Sequence, residues 1–585
     1  MSGFVGFFDA RSIDDKKNII KQMNSKIIHR GPTGEYYFTD EKIAAGLRDL
    51  YCENENHVIF FSGRLYNSNK ELSDAEFVLR AYEEYGEQTA SKLKGSFSFV
   101  IYNKTTHDLY GARDHFGSKW LYYYLNNNLF MFGSEIKSFL PHPDFKKEIN
   151  KNVLKLYLIF QYSPTEETFF KNVYKLQQGC YFTYKNGEFK STRYFDINYN
   201  TEKKSFDECL NLLNETLKKS VEYHTTGNEE IGSFLSGGVD SSFIASVAKP
   251  NKTFSVGFAL DGYDESIYAK ELSDLLKINN YKKIVSSDEF FEALPKVQYH
   301  SDEPHANLSS VPLYFLAKLA SEHVKIVLSG EGSDEFFAGY LTYAESNFAK
   351  FYKKTPLGCR KFIKKIAESM PNFKGKGTLI KYGRKVEDYY IGQAFIMDDG
   401  EANNILSENY KSNASYKDIT KPYFDKVKNQ SDLIKKLYLD MFLWMPNDIL
   451  LKGDKMSAAY NLEVRTPIMD KEVFEIASKI PGKYLIKNKI PKYIFRQIAH
   501  KVIPEEWAKR KKLGFPVPFS LWLREQKYYD LFKNMFGEDF VSEFFEREKL
   551  FLMLDEHFNN IKNNGRKLYT VYSFLVWYKI YFIEG

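Results

Sequence analysis

The first third of the chain alternates short apolar runs with polar turns. These runs are rich in aromatic and β-branched residues, which is typical of β-strands, and they cover residues 4–8, 58–61, 97–102 and 129–132. Two amphipathic segments, residues 74–85 and 151–160, have the spacing of helices. Residues 1–195 are therefore predicted to form an α+β domain built on two sheets.

The pattern changes after residue 195. Residues 196–225 are a predicted linker and connecting helix, with helical spacing from residue 206 to residue 223. Strand and helix patterns then alternate, with strands at residues 231–235, 253–258, 283–285 and 324–328 and helices at residues 241–248 and 265–276. This alternation predicts a parallel sheet whose ligand-binding loops follow the strands along one edge. Residues 226–585 are thus predicted to be an α/β domain with a helical C-terminal part.

Composition and charge exclude several classes of protein. The net charge of +6 is small for 585 residues, and acidic residues are interspersed with the lysines, so no nucleic-acid partner is expected. The chain has no apolar run of about 18 residues and its first residues do not resemble a signal peptide, so neither a membrane span nor secretion is expected. Four scattered cysteines without a C-x-x-C pair predict no zinc site and favour a reducing, cytoplasmic location.

The apolar run at residues 231–235 leads into the sequence S-G-G-V-D-S of residues 236–241. Gly237 and Gly238 lack Cβ, which allows a sharp turn and a close approach to an anion. The following helix start would point N–H groups at phosphate, and the hydroxyls of Ser236 and Ser241 add donors. Asp240 would repel phosphate unless a cation lies between them, which predicts a phosphate-binding loop with a Mg²⁺ ligand.

A second stretch with the same character ends another predicted strand. After the run at residues 324–328 the chain reads S-G-E-G-S-D-E over residues 329–335. The carboxyl ends of parallel strands meet at one edge of a sheet, so the two stretches are expected to lie close together.

The sequence resembles asparagine synthetases of the glutamine-hydrolysing type up to about residue 525. The S-G-G-x-D-S loop looks like the pyrophosphate-binding loop of ATP pyrophosphatases, and S-G-E-G-S-D-E matches a motif of the synthetase family in full. The N-terminal part resembles class II glutamine amidotransferases, which have the two-sheet fold of N-terminal nucleophile hydrolases. The matching segments are residues 1–7, 29–32, 73–76, 95–102, 112–114, 116–117, 121–123, 133–137 and 175–179.

The resemblance implies roles for residues of the C-terminal domain, with ATP and Mg²⁺ as cofactors. Leu235 and Val256 would flank the adenine, and Asp240 and Asp334 would bind Mg²⁺ and pyrophosphate. Glu331 would take part in forming the acyl-adenylate and in handling the amine. The residues implied to contact ATP are Ser236, Gly237, Gly238, Asp240, Ser241, Ser329 and Gly330.

A basic stretch near the C-terminus is implied to supply a catalytic lysine. Aligned on the K-x-G-F core of the family, Lys512 takes that position and would stabilise negative charge on the α-phosphate. The neighbouring cations Arg510 and Lys511 make this alignment ambiguous. The alternative interpretation of the stretch is a basic loop exposed to solvent. Residues 454–459 and 462–467, with Asp470, are interpreted as a scaffold behind the nucleotide.

The N-terminal domain departs from the family at its glutaminase pocket. The family's cysteine nucleophile is Ser2 here, which is either a natural or an engineered difference. The family's Asn-Gly-Glu is Ser62-Gly63-Arg64, so a carboxylate has become a cation. The family's arginine falls at Asp49, although Arg48 could take its place, and Asp74 alone stands as expected. These changes predict that the glutaminase activity is lost.

The sequence therefore favours a ligase that adenylates a carboxylate and passes it to an amine, without using glutamine. Aspartate is the default acid, but residues 302–310 contain no arginine or lysine to hold its second carboxylate. The alternatives are an enzyme like β-lactam synthetase acting on another acid, a nucleotide-binding pseudoenzyme, and a working serine-dependent amidohydrolase. The expected partners are a small-molecule carboxylate and ammonia or a substrate amine, with a homodimer as the candidate assembly.

Overall fold

The N-terminal part forms two antiparallel sheets in the computed structural model, which describes residues 1–584 except residues 10, 50, 69, 70, 127, 128, 228, 261 and 511–515. In spatial order, the first sheet consists of Val173–Lys175, Tyr122–Asn126, Leu129–Gly133, Gly3–Phe8, Ile43–Arg48 and Glu35–Thr39. The second consists of Glu188–Arg193, Cys180–Lys185, Leu109–Arg113, Gly95–Asn103, His57–Leu65 and Tyr51–Glu53. The predicted two-sheet α+β fold is confirmed.

The two sheets pack face to face, because alternate residues of each strand carry large apolar side chains. Phe130 and Phe132 of the first sheet meet Phe60 and Phe182 of the second in one buried cluster. Helices cover the outer faces, and the helix predicted at residues 74–85 is present with these bounds, capped by the Ser73 hydroxyl. The helices of this part are Ile13–Ser25, Asp74–Tyr85, Thr89–Lys92 and Leu154–Phe160.

A parallel sheet organises the C-terminal part. Over the described residues its strand order is Asn279–Val285, Lys252–Phe258, Ile231–Phe234, Ile326–Leu328 and Glu463–Arg465. The chain builds outward from the strand Ile231–Phe234 on one side and then returns to its other side, so the strand order reverses between Ile231–Phe234 and Ile326–Leu328. A crevice forms at such a switch point, outside the carboxyl ends of the strands. The edge strand Glu463–Arg465 was predicted only as scaffold.

Helices surround this sheet and make up most of the remaining chain. The helix predicted to start at residue 241 begins two residues earlier, and the connecting helix extends to Thr225. The helices are Phe206–Thr225, Val239–Ala248, Ser266–Leu276, Ser287–Ser301, Ser310–Ser321, Ser333–Phe336, Asn347–Tyr352, Leu357–Ser369, Lys376–Tyr382, Asp399–Ile405, Tyr416–Lys426, Asp432–Phe442, Leu451–Ala458, Lys471–Ala477, Gly482–Leu485, Tyr493–Ala499, Glu505–Lys509, Phe519–Trp522, Gln526–Gly537, Val541–Phe544, Arg547–Phe558 and Gly565–Tyr578, with π-helical turns at Met445–Leu450 and Lys579–Ile583. No helix in the described part of the chain has the length and apolar character needed to cross a membrane.

Buried charges join the two parts of the molecule. Asp454 of the C-terminal part lies 2.7 Å from Nη2 of Arg30 and 2.9 Å from Nζ of Lys119. Asp302 lies 2.8 Å from Nζ of Lys137 and 2.6 Å from Nζ of Lys455. Glu135 is ion-paired with both Arg30 and Lys137 and approaches His29. We call these eight side chains the boundary network: His29, Arg30, Lys119, Glu135, Lys137, Asp302, Asp454 and Lys455.

Candidate functional site

A cavity of about 590 Å³ lies at the carboxyl ends of the parallel strands. Both glycine-rich stretches contribute to its wall, as expected for loops that follow neighbouring strands. Gly237 and Gly238 of the first stretch do not line it directly. The predicted site residues that do are Leu235, Ser236, Asp240, Ser241, Val256, Ser329, Gly330, Glu331 and Asp334.

The loop after strand Ile231–Phe234 has the geometry of an anion-binding turn. Gly237 has a φ of +73°, a conformation that disfavours residues with Cβ. The Ser236 hydroxyl accepts a hydrogen bond from the Gly238 N–H at 3.3 Å, which folds the loop back on itself. Helix Val239–Ala248 then begins at Gly238 with no side-chain cap among the described residues. Its first N–H groups are therefore available to a phosphate.

The second loop packs tightly against the start of this helix. A Cβ on Gly330 would lie 2.9 Å from the Asp240 carbonyl carbon and 2.9 Å from the Ser241 nitrogen. Only a residue without a side chain allows this contact. Gly330 therefore fixes the distance between the two loops, and with it the distance between Asp240 and Asp334.

The two predicted Mg²⁺ ligands converge on a lysine that the sequence did not indicate. Nζ of Lys492 lies 2.5 Å from Oδ2 of Asp240 and 2.8 Å from Oδ1 of Asp334. The Lys492 side chain is only 2% exposed. Burial lowers the pKa of this ammonium, but the charges of Asp240 and Asp334 outweigh burial and raise it. Lys492 is therefore charged and neutralises part of the acidic pair.

The acidic pair also fits a divalent cation. Oδ1 of Asp240 is buried and accepts no hydrogen bond from any described residue. Within the described residues, no group of three or more potential metal-ligating side chains occurs, so the protein offers two carboxylates. Mg²⁺ is commonly held by one or two carboxylates together with substrate phosphates and water. Asp240 and Asp334 are suited to that arrangement.

Glu331 faces the same cavity from the second loop. Burial raises the pKa of its carboxyl group, and the charge of Lys452 partly opposes the increase. Its carboxylate packs over the helix Leu451–Ala458, where a Cβ on Gly453 would lie 3.2 Å from Oε2. The group makes no hydrogen bond or ion pair with the described residues, which leaves it available to a ligand.

Residues distant in sequence supply positive charge to the cavity wall. Lys452 comes from the helix after the π-helical turn Met445–Leu450, and Arg566 comes from the first turn of Gly565–Tyr578. The observation that residues 302–310 carry no cation is correct for that segment. Lys452 and Arg566 reach the cavity through tertiary folding, from outside that segment. The stretch 346–450, which gave little information in the sequence, supplies Gln393, Trp444 and Ile449 to the wall.

The predicted catalytic lysine, Lys512, lies outside the described residues. Arg510, two positions before it, donates a hydrogen bond to the Gly237 carbonyl at 3.4 Å and packs on the Tyr268 ring. Residues 454–459 and 462–467, with Asp470, were interpreted as scaffold behind the nucleotide. None of them lines the cavity, and Asp454 and Lys455 belong to the boundary network instead.

The predicted residues of the N-terminal pocket make contacts around Ser2 and around Asp74. Ser2 is 5% exposed, and its hydroxyl accepts a hydrogen bond from the Gly63 N–H at 3.4 Å. Ser62 donates its hydroxyl to the Ser2 carbonyl at 2.7 Å. Arg64 approaches Asp74 to 3.5 Å. The Arg64 guanidinium therefore lies beside the Asp74 carboxylate.

Both oxygens of the Asp74 carboxylate also accept hydrogen bonds. Oδ2 accepts from the Leu65 N–H at 3.1 Å, and Oδ1 accepts from the Ser68 hydroxyl at 2.8 Å. Asp49 lies 3.8 Å from the N-terminal nitrogen. The guanidinium of the neighbouring Arg48 is buried, donates to the Asn24 carbonyl and lies 3.3 Å from Glu35.

Comparisons with known proteins agree with this arrangement. The asparagine synthase family model matches residues 212–579, and a glutamine amidotransferase domain model matches residues 1–195. The chain belongs to the asparagine synthase family. It is therefore an ATP-dependent carbon–nitrogen ligase that produces AMP and pyrophosphate.

Relatives from this family cover most of the chain. Glutamine-hydrolyzing asparagine synthetase 1 of Bacillus subtilis strain 168 is 39% identical over 99% of this chain and 97% of its own length. A putative glutamine-hydrolyzing asparagine synthetase of Mycobacterium bovis is 31% identical over 90% of this chain and 85% of its own. A similar protein of Methanocaldococcus jannaschii is 26% identical over 77% of this chain and 97% of its own.

Proposed function

We propose that this ligase adenylates a small carboxylic acid and transfers the acyl group to ammonia or to a substrate amine, without using glutamine. The observation that carries the proposal is the convergence of Asp240, Asp334 and Glu331 on one cavity, with Lys492 between the first two. The relatives are named for asparagine synthesis, so aspartate is the acid to test first.

Different groups around the cavity are suited to bind different parts of ATP and its metal ion. The N–H groups at the start of helix Val239–Ala248 bind the phosphates of ATP, and Lys492 offsets negative charge beside them. Asp240 and Asp334 would hold Mg²⁺, which when bound lowers the charge on the departing pyrophosphate. Leu235 and Val256 offer an apolar wall to the adenine.

Two bond exchanges complete the reaction. A carboxylate oxygen of the acid bonds to the α-phosphorus of ATP, and the bond to pyrophosphate breaks. The amine nitrogen then bonds to the acyl carbon, the bond to AMP breaks, and the nitrogen loses a proton. Glu331 is suited to accept that proton, because burial raises the pKa of its carboxyl group and makes it a stronger base.

The proposed loss of glutamine use rests on Arg64. Its guanidinium lies 3.5 Å from Asp74 and opposes the approach of a second cation. The amidotransferase domain would then act as a structural part of the ligase.

The test measures AMP release from ATP, Mg²⁺ and aspartate with ammonium, with glutamine, or with neither. We expect AMP with ammonium and none above background with glutamine, and the Ser2→Ala variant should behave like the wild type. AMP formation with glutamine that disappears in Ser2→Ala would show a working serine-dependent glutaminase. Failure to release AMP with aspartate and with a wider panel of carboxylic acids would reject the ligase assignment.

A further inference from the structure

Positive charge is concentrated in one surface segment of the ligase domain. Residues 346–385 contain twelve lysines and arginines and a single acid, Glu368, which gives this segment a net charge of +11. The whole chain has a net charge of +6, so the rest of the chain has a net charge of −5. The mixture of acids and lysines found elsewhere along the chain is therefore absent here. We call residues 346–385 the basic segment.

Three helices of the basic segment pack around a small apolar cluster of their own. The helices are Asn347–Tyr352, Leu357–Ser369 and Lys376–Tyr382. The Arg360 guanidinium also points inward, where it donates hydrogen bonds to the carbonyls of Thr355 and Tyr382. This packing fixes which side of the helices faces the protein. The side chains of the cluster are Ala349, Tyr352, Ile363, Leu379, Tyr382 and Tyr389.

Other residues of the same helices expose large apolar side chains to solvent. Four of the five exposed phenylalanines among the described residues belong to the basic segment, and Phe351 and Phe362 are 71% and 67% exposed. Phe362 and Ile366 are one turn apart on helix Leu357–Ser369, so they form a stripe on its outer face. The exposed apolar side chains of the segment are Phe348, Phe351, Phe362, Ile366, Met370 and Phe373.

Exposed lysines flank this apolar stripe. Lys361 and Lys365 each precede a member of the stripe by one residue. The acid of the segment, Glu368, is already paired with Lys364 at 3.1 Å. The charge of the outer face is therefore not neutralised within the segment. Its exposed lysines that form no ion pair with any described residue are Lys350, Lys354, Lys361, Lys365, Lys374 and Lys385.

This combination of side chains is complementary to an anionic lipid surface. A helix at a membrane interface places apolar side chains at the boundary of the acyl chains and keeps its lysines at the headgroup level. Each lysine close to an anionic leaflet adds electrostatic attraction to the burial of apolar surface. Exposed apolar side chains among lysines are thus accounted for together, since a lipid surface offers both an apolar layer and phosphate groups.

Two other occupants fit this face less well. Nucleic-acid recognition favours arginine, because its guanidinium binds phosphate through two hydrogen bonds. Both arginines of the segment are engaged within the protein, Arg360 with two carbonyls and Arg384 with the Tyr389 ring. A second copy of this chain would bring the same positive charge to the contact, which opposes self-association through this face.

We propose that the outer face of the basic segment binds reversibly to the surface of a membrane that contains anionic phospholipids. Phe362 and Ile366 enter the headgroup region, and Lys361 and Lys365 contact lipid phosphates. Helix Leu357–Ser369 has 13 residues and lies along the surface, since about 20 apolar residues are needed to cross a bilayer. This inference goes beyond the proposed function and does not depend on it, because lipid binding needs no turnover.

Sedimentation of the full-length protein with lipid vesicles tests the proposal. Vesicles of phosphatidylcholine alone are compared with vesicles that also contain phosphatidylglycerol. We expect binding to the anionic vesicles to be at least tenfold tighter in low salt and to weaken strongly at about 0.5 M NaCl, where the Debye length is only a few ångströms. Equal binding to both kinds of vesicle, or binding to neither, would overturn the inference. Binding to bulk tRNA without binding to vesicles would also overturn it.

Two double variants locate the contact on helix Leu357–Ser369. Phe362→Ser with Ile366→Ser removes the apolar stripe, and Lys361→Gln with Lys365→Gln removes two flanking charges. Each double variant should bind anionic vesicles at least tenfold more weakly than the wild type. Because all four side chains are exposed, urea unfolding should match that of the wild type. Vesicle affinity equal to that of the wild type in both double variants would refute the assignment of this face.

Matched controls lie on other surfaces of the molecule. Leu552→Ser with Ile561→Ser removes two apolar side chains that are 61% and 75% exposed. Lys218→Gln with Lys219→Gln removes two exposed lysines of helix Phe206–Thr225. Both controls should keep the vesicle affinity of the wild type. A loss of affinity in the controls as large as in the test variants would show that binding is not specific to the basic segment, and would overturn the inference.

A cysteine on the stripe provides a direct readout of the contact. All four cysteines lie within the described residues, and of these only Cys359 is exposed. It precedes Phe362 by three residues on the same helix, so it lies on the same face. A polarity-sensitive fluorophore attached to this thiol should shift its emission to shorter wavelength when anionic vesicles are added. Unchanged emission from protein that sediments with the vesicles would mean that another face binds them, which would overturn the inference.

Discussion

Lys492 occupies the space between two carboxylates that are suited to a divalent cation. Its ammonium approaches Asp240 and Asp334 within 2.8 Å, and its side chain is 2% exposed. Replacing it with a neutral residue of similar length removes a buried cation that contacts both acids. The effects on metal binding and on stability can be measured without any enzymatic turnover.

We predict that Lys492→Met binds Mn²⁺ in the absence of nucleotide about tenfold more tightly than the wild type, which equals about 1.4 kcal/mol. The metal-free variant should be less stable by about 3–5 kcal/mol, because two acidic groups lose their contact with a buried cation. Paramagnetic titration with Mn²⁺ measures the first effect and urea unfolding the second. Lys487→Met is the control, because Lys487 is an exposed lysine that precedes the same helix, Tyr493–Ala499, as Lys492. Equal Mn²⁺ affinity in the variant and the wild type would contradict the role given to Lys492.

Asp440 is a buried acid beside the cavity. It accepts hydrogen bonds from the hydroxyls of Tyr343 and Tyr390 and from the Gln393 amide, and Gln393 lines the cavity. Burial raises the pKa of Asp440 to about 6, although the hydrogen bonds oppose the increase. The charged form is therefore disfavoured in the folded protein, and its cost develops as pH rises from the unfolded pKa of about 4 through 6.

We predict that Asp440→Asn gains stability relative to the wild type as the pH increases from 4 to 7. The gain should approach about 3 kcal/mol, the equivalent of a shift of about two pKa units. Urea unfolding of both proteins at several pH values measures it, and at pH 4 the two should differ least. A difference in stability that does not change with pH would show that Asp440 titrates normally.

At the scale of elements, site residues within one contiguous motif were predictable from the sequence. Site residues that come from remote parts of the chain were not. The loop at residues 236–241 and the loop at residues 329–335 each lie within one stretch, so their sequence alone placed them at strand ends. Lys492 contacts Asp240 across 252 positions, and no local pattern connects them. Lys452 and Arg566 enter the cavity through helix packing, and the π-helical turn Met445–Leu450 before Lys452 has no signature in the hydrophobic pattern.

The presence of strands and helices was predicted more accurately than the residues at which they begin and end. The helix at residues 74–85 matched, because Ser73 gives a capping signal before an amphipathic run. The strand predicted at residues 283–285 spans Asn279–Val285. Its first residues are polar and sit at the sheet edge, where burial does not require an apolar pattern. The edge strand Glu463–Arg465 is only three residues long and too short to be predicted.

A substitution at Gly330 tests whether AMP formation depends on the close contact between the two glycine-rich loops. We predict that Gly330→Ala lowers AMP formation at least 100-fold, since its Cβ would lie 2.9 Å from backbone atoms of Asp240 and Ser241 and would push the loops apart. The control is Gly358→Ala in helix Leu357–Ser369, where a Cβ meets no atom within 4 Å. That variant should gain about 0.5–1 kcal/mol of stability and keep its activity. Near-normal AMP release by Gly330→Ala would show that the loops can separate without loss.

At the scale of the whole molecule, the boundary network links the amidotransferase domain to the ligase domain. Burial raises the pKa of Asp454, but the charges of Arg30 and Lys119 outweigh burial and hold it well below its usual range. The folded state therefore gains stability from the charged form. That gain is complete above the unfolded pKa of about 4 and is lost as pH falls toward the folded value.

We predict that Asp454→Asn is less stable than the wild type by about 3–5 kcal/mol at pH 7, because Lys119 loses its paired carboxylate and Arg30 loses one of two. The difference should shrink as pH falls below about 4. Differential scanning calorimetry should show one transition for the wild type and two for the variant, since the contact between the domains is weakened. A single unshifted transition in the variant would mean that other contacts hold the domains together.

The boundary network also limits how this protein can change over generations. Asp302, Asp454 and Lys455 of the ligase domain are fully or almost fully buried, and several of their partners belong to the other domain. A gene that lost the first 195 codons would encode a ligase domain with a newly exposed surface. Charged side chains on that surface would have lost their ion-pair partners. Substitutions in the N-terminal pocket, for example at Ser2 or Arg64, leave these contacts between the domains intact, so we expect that pocket to vary more freely than the presence of the domain itself.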